Sequence, residues 1–128
     1  MHFLLLWNVL RRVRERYAAK ETNMILGNVF RSIPEDLTEE VFDILAQSKD
    51  VKIERIVSKG QSSPSSRWYE QEQNEWVIVL KGEAVISFEH GKEIDLKVGN
   101  YINIPAYTKH RVNWSDPNTE TIWLAVHY

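Results

Sequence analysis

Two segments within residues 75–110 decide the fold. The first reads Glu75-Trp-Val-Ile-Val-Leu-Lys-Gly82, and the second reads Gly99-Asn-Tyr-Ile-Asn-Ile-Pro105-Ala-Tyr-Thr-Lys-His110. Both are rich in apolar and β-branched residues and are punctuated by glycine or proline, a pattern typical of strands bounded by turns. A carboxylate opens the first segment and an imidazole closes the second, so two titratable groups lie at the ends of apolar strands.

The same pattern of short strands and turns extends over residues 51–128. Polar turn sequences rich in glycine, asparagine and proline separate the apolar runs, and no helical pattern lies between them. Short strands without crossover helices indicate an all-β sandwich or barrel. The predicted strands are 51–57, 67–71, 75–80, 83–89, 93–97, 101–105, 110–114 and 121–127.

Residues 24–50 predict a lead-in followed by one helix. Thr38 is suited to the N-cap, and Glu39 and Glu40 follow in the first turn, where the helix dipole favours acidic groups. Apolar side chains then recur on one helical face, which predicts a helix over 38–47 that covers an edge or end of the barrel. The acidic side chains of this region, Asp43 among them, are expected to face solvent.

Residues 1–23 differ from the rest of the chain in charge. They carry five basic and two acidic side chains, a net +3, while the other residues carry eleven and sixteen, a net −5. Apolar residues at three- and four-residue steps predict a basic amphipathic helix. This helix could pack on its own barrel or lie on an anionic membrane. Alternatively, the natural start of the protein could be Met24. We expect residues 1–23 to be dispensable, so a chain starting at Met24 should keep its melting temperature.

Composition excludes several classes of protein. The 128 residues are 43% hydrophobic, enough for one domain with one core, and the net charge of −2 argues against non-specific nucleic-acid binding. Without cysteine there is no disulfide, thiolate metal site or cysteine nucleophile, which is consistent with a cytoplasmic location. No apolar run approaches the roughly 20 residues that span a bilayer, so no membrane partner is expected.

The spacing of the two segments resembles the two motifs of the cupin superfamily, which are small jelly-roll barrels. The resemblance covers residues 25–128 and extends to a branch of small bacterial single-domain cupins without an agreed activity. It implies an all-β double-stranded β-helix, the cupin barrel, over residues 51–128 with N-terminal helical decoration, and assembly as a homodimer. The matching segments are Trp68-Tyr69-Glu70-Gln71, Glu75-Trp76-Val77, Ile104-Pro105-Ala106, His110-Arg111-Val112 and Thr121 to Tyr128.

The resemblance also implies a candidate metal site. In metal-binding cupins the first motif supplies two histidines and a glutamate, and the second supplies a third histidine. Glu75 and His110 match the last two positions, whereas no histidine lies between His2 and His90. Counting back from Glu75 places Tyr69 and Gln71 at the missing positions, and looser counts place Trp68 with Glu70, or Ser66 with Trp68. We therefore predict Tyr69, Gln71, Glu75 and His110 as ligands of one weakly held divalent ion (Mn, Fe, Ni or Zn), or as a metal-free polar cluster.

Two classes of function remain open. In the first, the barrel binds or transforms a small polar molecule at a degenerate metal site, with Tyr69 or Glu70 as candidate catalytic residues that handle protons. In the second, it is a non-catalytic or structural barrel without metal, whose polar cluster selects a small ligand. His127 would join the site as a second imidazole if Trp123, two residues before it, faces the barrel interior.

Overall fold

The computed structural model describes residues 14–15 and 24–128 and forms two β-sheets. In these residues there are nine strands and no helix, so the all-β prediction is confirmed. None of the described segments is a helix long and apolar enough to cross a membrane. The strands are β1 Arg14–Glu15, β2 Val41–Gln47, β3 Lys52–Ser58, β4 Glu75–Lys81, β5 Ala84–Phe88, β6 Glu93–Leu96, β7 Tyr101–Ile104, β8 His110–Ser115 and β9 Thr121–His127.

The two sheets pack face to face as a jelly-roll barrel. The larger sheet has the order β1-β2-β3-β9-β4-β7, and the smaller sheet has the order β6-β5-β8. Apart from the parallel pair β1–β2, the paired strands are antiparallel. Alternate residues of each strand point inward, and together they form one core that includes Ile56, Val77, Ile86, Val112 and Trp123.

The helix predicted over 38–47 is wrong, because residues 41–47 form β2. Phe42 and Ile44 alternate toward the interior and are buried, at the strand period of two. The apolar pattern fits both periods over so short a run, and pairing with β3 along most of its length selects the strand. β2 therefore extends the larger sheet instead of covering it.

The helix predicted for the basic leader falls almost wholly outside the described residues. Only Arg14 and Glu15 are described, and they form the short strand β1 beside β2, with Arg14 opposite Asp43. The helical decoration is therefore not found in the part of the chain that the structure describes. Whether residues 1–23 are dispensable stays a prediction.

Asp43 is buried, which corrects the expectation that it faces solvent. Its carboxylate pairs with the guanidinium of Arg55 on β3, and both side chains are almost fully buried. The same guanidinium donates hydrogen bonds to the backbone carbonyls of Val29, Arg31 and Ser32. Arg55 therefore fastens the lead-in segment to the outer face of the larger sheet, and its donors are used for structure.

Strand β9 brings the interior polar residues together. It lies between β3 and β4, with His127 directly opposite Glu75 of β4 and opposite Lys52 of β3. Trp123 and Ala125 belong to the barrel core, so the β9 face that carries them, and with it His127, lines the barrel. The condition under which His127 joins the interior is therefore met.

Candidate functional site

Glu75 is a carboxylate in the wall of an apolar barrel. It begins β4, where Glu75, Val77 and Val79 alternate inward, and all three are fully buried. Its strand neighbours are Ile104 on one side and His127 on the other. A buried carboxylate is costly unless hydrogen-bond donors or positive charge surround it, so the groups around Glu75 define the site.

His110 approaches Glu75 from β8 in a fixed orientation. Its Nδ1 lies 2.7 Å from the backbone oxygen of Thr108. Because a carbonyl only accepts hydrogen bonds, Nδ1 carries the proton. In the neutral ring Nε2 is then the acceptor nitrogen, and it faces Glu75 Oε1 at 3.7 Å. The carbonyl of Thr108 therefore sets the tautomer that His110 presents to the site.

The segment around Tyr69 and Gln71 completes the cluster. The strand predicted over 67–71 is reduced to a single bridge, in which Tyr69 and His110 exchange backbone hydrogen bonds of 3.0 and 2.9 Å. Gln71 follows two residues later, and its Nε2 donates to Glu75 Oε1 at 3.0 Å. The backbone N–H of Tyr107 donates to the carbonyl of Gln71. Gln71 is thus hydrogen-bonded to Glu75, and His110 lies beside them; these three residues are called the interior cluster.

The two candidate catalytic residues have different surroundings. Tyr69 is 5% exposed and packs in the hydrophobic core beside the interior cluster. Glu70 is only half-buried, between the buried Tyr69 and Gln71. Successive residues of an extended segment point to opposite sides. Glu70 therefore points away from the side that holds Gln71, and Tyr69 is the better placed of the two.

Electrostatics assign the charge states of Glu75 and His110. Burial is the largest influence on the pKa of His110 and lowers it, although the nearby Glu75 carboxylate, which favours the protonated ring, acts in the opposite direction. Burial raises the pKa of Glu75, but nearby positive charge and the hydrogen bond that His110 would donate in its protonated form outweigh it, and the pKa of Glu75 is lowered. The pair is therefore an ionised carboxylate beside a neutral imidazole.

A second acid–imidazole pair lies on the same inner face. His127 Nε2 is 3.0 Å from Glu54 Oε1, and both side chains are buried. The sequence identified His127 but missed Glu54. The available signal was the adjacent charges Glu54 and Arg55 in the middle of an apolar strand, because two successive strand residues face opposite sides and one of them must point inward.

The donor set does not fit a tightly held metal ion. Among the described residues, no group of three or more histidine, cysteine, aspartate or glutamate side chains is placed to hold one. Catalytic zinc sites use three protein ligands, whereas the interior cluster has one carboxylate and one imidazole. Gln71 directs its N–H group, not its oxygen, at Glu75. We therefore do not assign a metal to the interior cluster.

A cavity of about 390 Å³ lies elsewhere, on the outer face of the larger sheet. It is open to solvent and lies between the lead-in segment and the sheet. Its lining includes Ile25, Val29, Leu45, Ile53, Leu80 and Leu124. None of the interior cluster contributes to it, and the titratable groups that favour a functional site are inside the barrel.

The fold and the interior cluster define a small jelly-roll barrel with a buried polar site. The cupin domain family matches residues 54–127, more than half of the chain, and the chain therefore belongs to the cupin superfamily. The match includes both acid–imidazole pairs.

Solved structures agree with this assignment. A Ralstonia eutropha protein, provisionally described as a mannose-6-phosphate isomerase, is 41% identical, with a TM-score of 0.78, over 81% of this chain and 97% of that one. A cupin superfamily protein from Desulfitobacterium hafniense is 25% identical, with a TM-score of 0.62, over 74% and 82%. An RmlC-like cupin from Desulfovibrio desulfuricans shares the fold at 20% identity and a TM-score of 0.64, over 82% and 97%. No curated protein matches the chain significantly.

Proposed function

We propose that this cupin binds a small hydroxyl-bearing molecule inside its barrel, at Gln71, Glu75 and His110, without needing a metal ion. One observation carries the proposal. The ionised Glu75 carboxylate and the acceptor nitrogen of neutral His110 face each other 3.7 Å apart in an apolar interior. Two acceptors in this arrangement select a ligand that donates hydrogen bonds.

The polarity of the cluster narrows the class of ligand. Hydroxyl groups of a sugar or polyol can donate to both acceptors, and the amide of Gln71 can exchange its bond with Glu75 for one with the ligand. A ligand carboxylate or phosphate would meet the charge of Glu75 in a low-dielectric interior and be repelled. The Ralstonia eutropha relative supports a sugar-like ligand, since its description refers to a sugar phosphate. A phosphate group would then have to lie away from Glu75.

Ligand binding to chelator-treated protein tests the proposal. Mannose, mannose 6-phosphate and glycerol are compared with acetate and lactate by ligand-observed NMR and calorimetry. Because hydrogen bonds to charged groups contribute about 1.5–3 kcal/mol, Glu75→Gln should weaken binding of the hydroxyl ligand roughly 10–100-fold. Glu89→Gln removes an exposed carboxylate, paired with Lys109 at 3.8 Å, and is the matched control.

Three results would count against the proposal. Glu75→Gln could bind as well as the wild type, or acetate could compete equally with the hydroxyl ligands. Binding could also appear only after a divalent ion is added back, which would restore the metal-dependent alternative. Thermal melts of each variant separate a loss of binding from a loss of folding.

A further inference from the structure

The Glu54–His127 pair is a buried titratable group that ligand binding at the interior cluster does not use. Glu54 lies on β3, His127 on β9 and Glu75 on β4, which are three adjacent strands of the larger sheet. Because His127 is directly opposite both Lys52 and Glu75, the side chains of Glu54, His127 and Glu75 share the inner face. Directly opposite residues on antiparallel strands have Cα atoms about 4.5–5.5 Å apart, so a molecule held at Glu75 is within reach of His127.

Stability alone does not account for this pair. Replacing a buried ion pair by well-packed apolar side chains is often neutral or stabilising. Both members are nonetheless fully buried, at 0% and 1% exposure, in a barrel whose core is otherwise mainly apolar. A buried acid–imidazole pair on the inner face of a barrel is a candidate for proton transfer.

The two imidazoles of the barrel have different supports. His110 donates through Nδ1 to a neutral backbone carbonyl at 2.7 Å, and the Glu75 carboxylate is 3.7 Å from its Nε2. His127 meets a carboxylate through Nε2 at 3.0 Å, and a second carboxylate, Glu75, lies directly across the strand pair. A carboxylate that orients an imidazole also stabilises the imidazolium that forms when it takes a proton. His127 is therefore the imidazole suited to act as a base.

We propose that His127 is a catalytic proton-transfer residue of this barrel and that Glu54 is its positioning residue. The inference rests on the proposed binding of a hydroxyl-bearing molecule at Gln71, Glu75 and His110. With Nε2–H donated to Glu54, Nδ1 is the nitrogen that exchanges a proton with the bound molecule. The substrate class is a 2-hydroxy aldehyde or ketone, because its hydroxyl group suits the interior cluster and the adjacent C–H bond is acidic enough for an imidazole to act on.

The proton transfer balances without a cofactor. His127 Nδ1 takes the proton from the hydroxyl-bearing carbon, the C–H electron pair forms a carbon–carbon double bond, and the carbonyl π pair moves to its oxygen. The result is an enediolate beside an imidazolium that Glu54 stabilises. Return of the proton to the same carbon regenerates the substrate. Return to the former carbonyl carbon, with the hydroxyl proton passing to the former carbonyl oxygen, gives the isomeric hydroxy-carbonyl compound.

Exchange of carbon-bound hydrogen with deuterated solvent measures this step directly. The probes are glycolaldehyde and dihydroxyacetone, two small members of the class, followed by NMR with chelator-treated full-length protein. His127→Gln keeps an amide donor for Glu54. It should lower the exchange rate at least about 100-fold while changing the dissociation constant less than about threefold. His90→Gln alters an exposed imidazole in a turn and should leave exchange unchanged.

Glu54→Gln distinguishes positioning from a structural role. It should reduce the rate constant for exchange more than it changes binding, because the imidazolium that forms loses the carboxylate that stabilises it. Long-range ¹H–¹⁵N correlation spectra of the wild type should show His127 protonated at Nε2 and His110 protonated at Nδ1. A neutral His127 protonated only at Nδ1 would overturn the proposal.

The outcomes separate this inference from the proposed function. If the wild type binds dihydroxyacetone without exchanging its hydrogens, binding stands and the catalytic role of His127 fails. If His127→Gln exchanges at the wild-type rate, or loses binding and exchange in parallel, the catalytic role also fails. If the wild type binds neither probe, the proposed function fails first, and the inference fails with it.

Discussion

At the scale of single residues, the backbone determines what the interior side chains can do. The carbonyl of Thr108 holds the proton of His110 on Nδ1, and the N–H of Tyr107 holds the carbonyl of Gln71. Both groups come from the turn between Pro105 and His110, and Tyr107 adopts a positive φ of 63° in that turn. A strained, non-glycine backbone next to a site is maintained only when the surrounding contacts support it. This turn therefore orients the interior cluster.

We propose that Gln71, where a histidine could stand, makes the interior cluster a poor metal site, and one substitution tests this. Gln71→His would add a second imidazole beside Glu75 and His110, giving the three ligands that divalent ions prefer. We expect the affinity for Zn²⁺ or Ni²⁺ to rise at least about tenfold, or roughly 1.4 kcal/mol. Titration calorimetry and the visible spectrum of bound Co²⁺ provide the measurement.

Gln73→His is the matched control for that experiment. Gln73 lies two residues further along, partly exposed, and donates to the carbonyl of Asp50 outside the interior cluster. A histidine there should leave metal affinity at the wild-type level. Equal gains for both variants would mean that added imidazole binds metal non-specifically, and no gain for Gln71→His would mean that position 71 does not face Glu75 in solution.

The sequence predicts the interior cluster but not the second acid–imidazole pair. Motif spacing brought Glu75, His110 and Gln71 into one set, and the structure joins them by a hydrogen bond of 3.0 Å and a separation of 3.7 Å. Glu54 could not be assigned to the interior with certainty, because the charged residues Glu54 and Arg55 occupy opposite faces of β3 and both are buried. Which face is the barrel interior depends on the partner strands, which a single sequence does not specify.

At the scale of elements, the sequence predicted the turns and strands after residue 50 better than it predicted β2. Glycine and proline identify the boundaries of β4, β5 and β7 because few other residues fit the turns there. β2 was mistaken for a helix because its apolar residues fit both periods and its acidic lead-in imitates a helix N-terminus. Pairing with β3, and the buried contact of Asp43 with Arg55, decide between the two. Such tertiary contacts override local propensity.

Gly82, between β4 and β5, offers a test of one such turn. Its φ is +83°, and an added Cβ would lie 2.4 Å from Thr121 Oγ1 and 2.7 Å from Thr121 Cα. Thr121 is fully buried and cannot move aside. Gly82→Ala should therefore combine backbone strain with a steric clash and lower the free energy of unfolding by about 3–5 kcal/mol.

Gly91→Ala isolates the contribution of backbone strain to the loss in free energy of unfolding. Its φ is +105°, and an added Cβ would meet nothing within 4 Å. We expect a loss of about 1–3 kcal/mol from strain alone. Urea denaturation of both variants gives the difference. Equal losses would show that β9 shifts to accommodate the methyl group at position 82.

At the scale of the whole molecule, the outer face of the larger sheet carries partly exposed apolar side chains. Trp76, Ile78, Leu124 and Val126 are only half-buried there, and Tyr101 is 65% exposed with its ring 5.4 Å from that of Trp76. A contiguous apolar patch on a small domain marks an interface. Because a domain of this size has a small core, pairing adds buried area, and we propose a two-fold homodimer through this face.

Light scattering at micromolar concentration tests the homodimer. The wild type should have twice the mass of one chain, and Tyr101→Glu should shift it toward the monomer by placing a charge in the apolar face. Tyr107→Glu is the control, because Tyr107 is 64% exposed but lies in a turn away from the sheet face. A monomeric wild type, or equal effects of the two substitutions, would refute the proposed interface.

The central position of β9 affects how the protein is made in the cell. β3 and β4 both pair with β9, yet neither pairs with the other. During translation β3 and β4 leave the ribosome first and cannot join one sheet until residues 121–127 emerge, several seconds later at about 5–20 residues per second. Their unpaired edges stay exposed for that time, and exposed edges promote aggregation. We therefore expect nascent chains of this protein to be prone to aggregation until β9 emerges, and chains that end before β9 to be degraded.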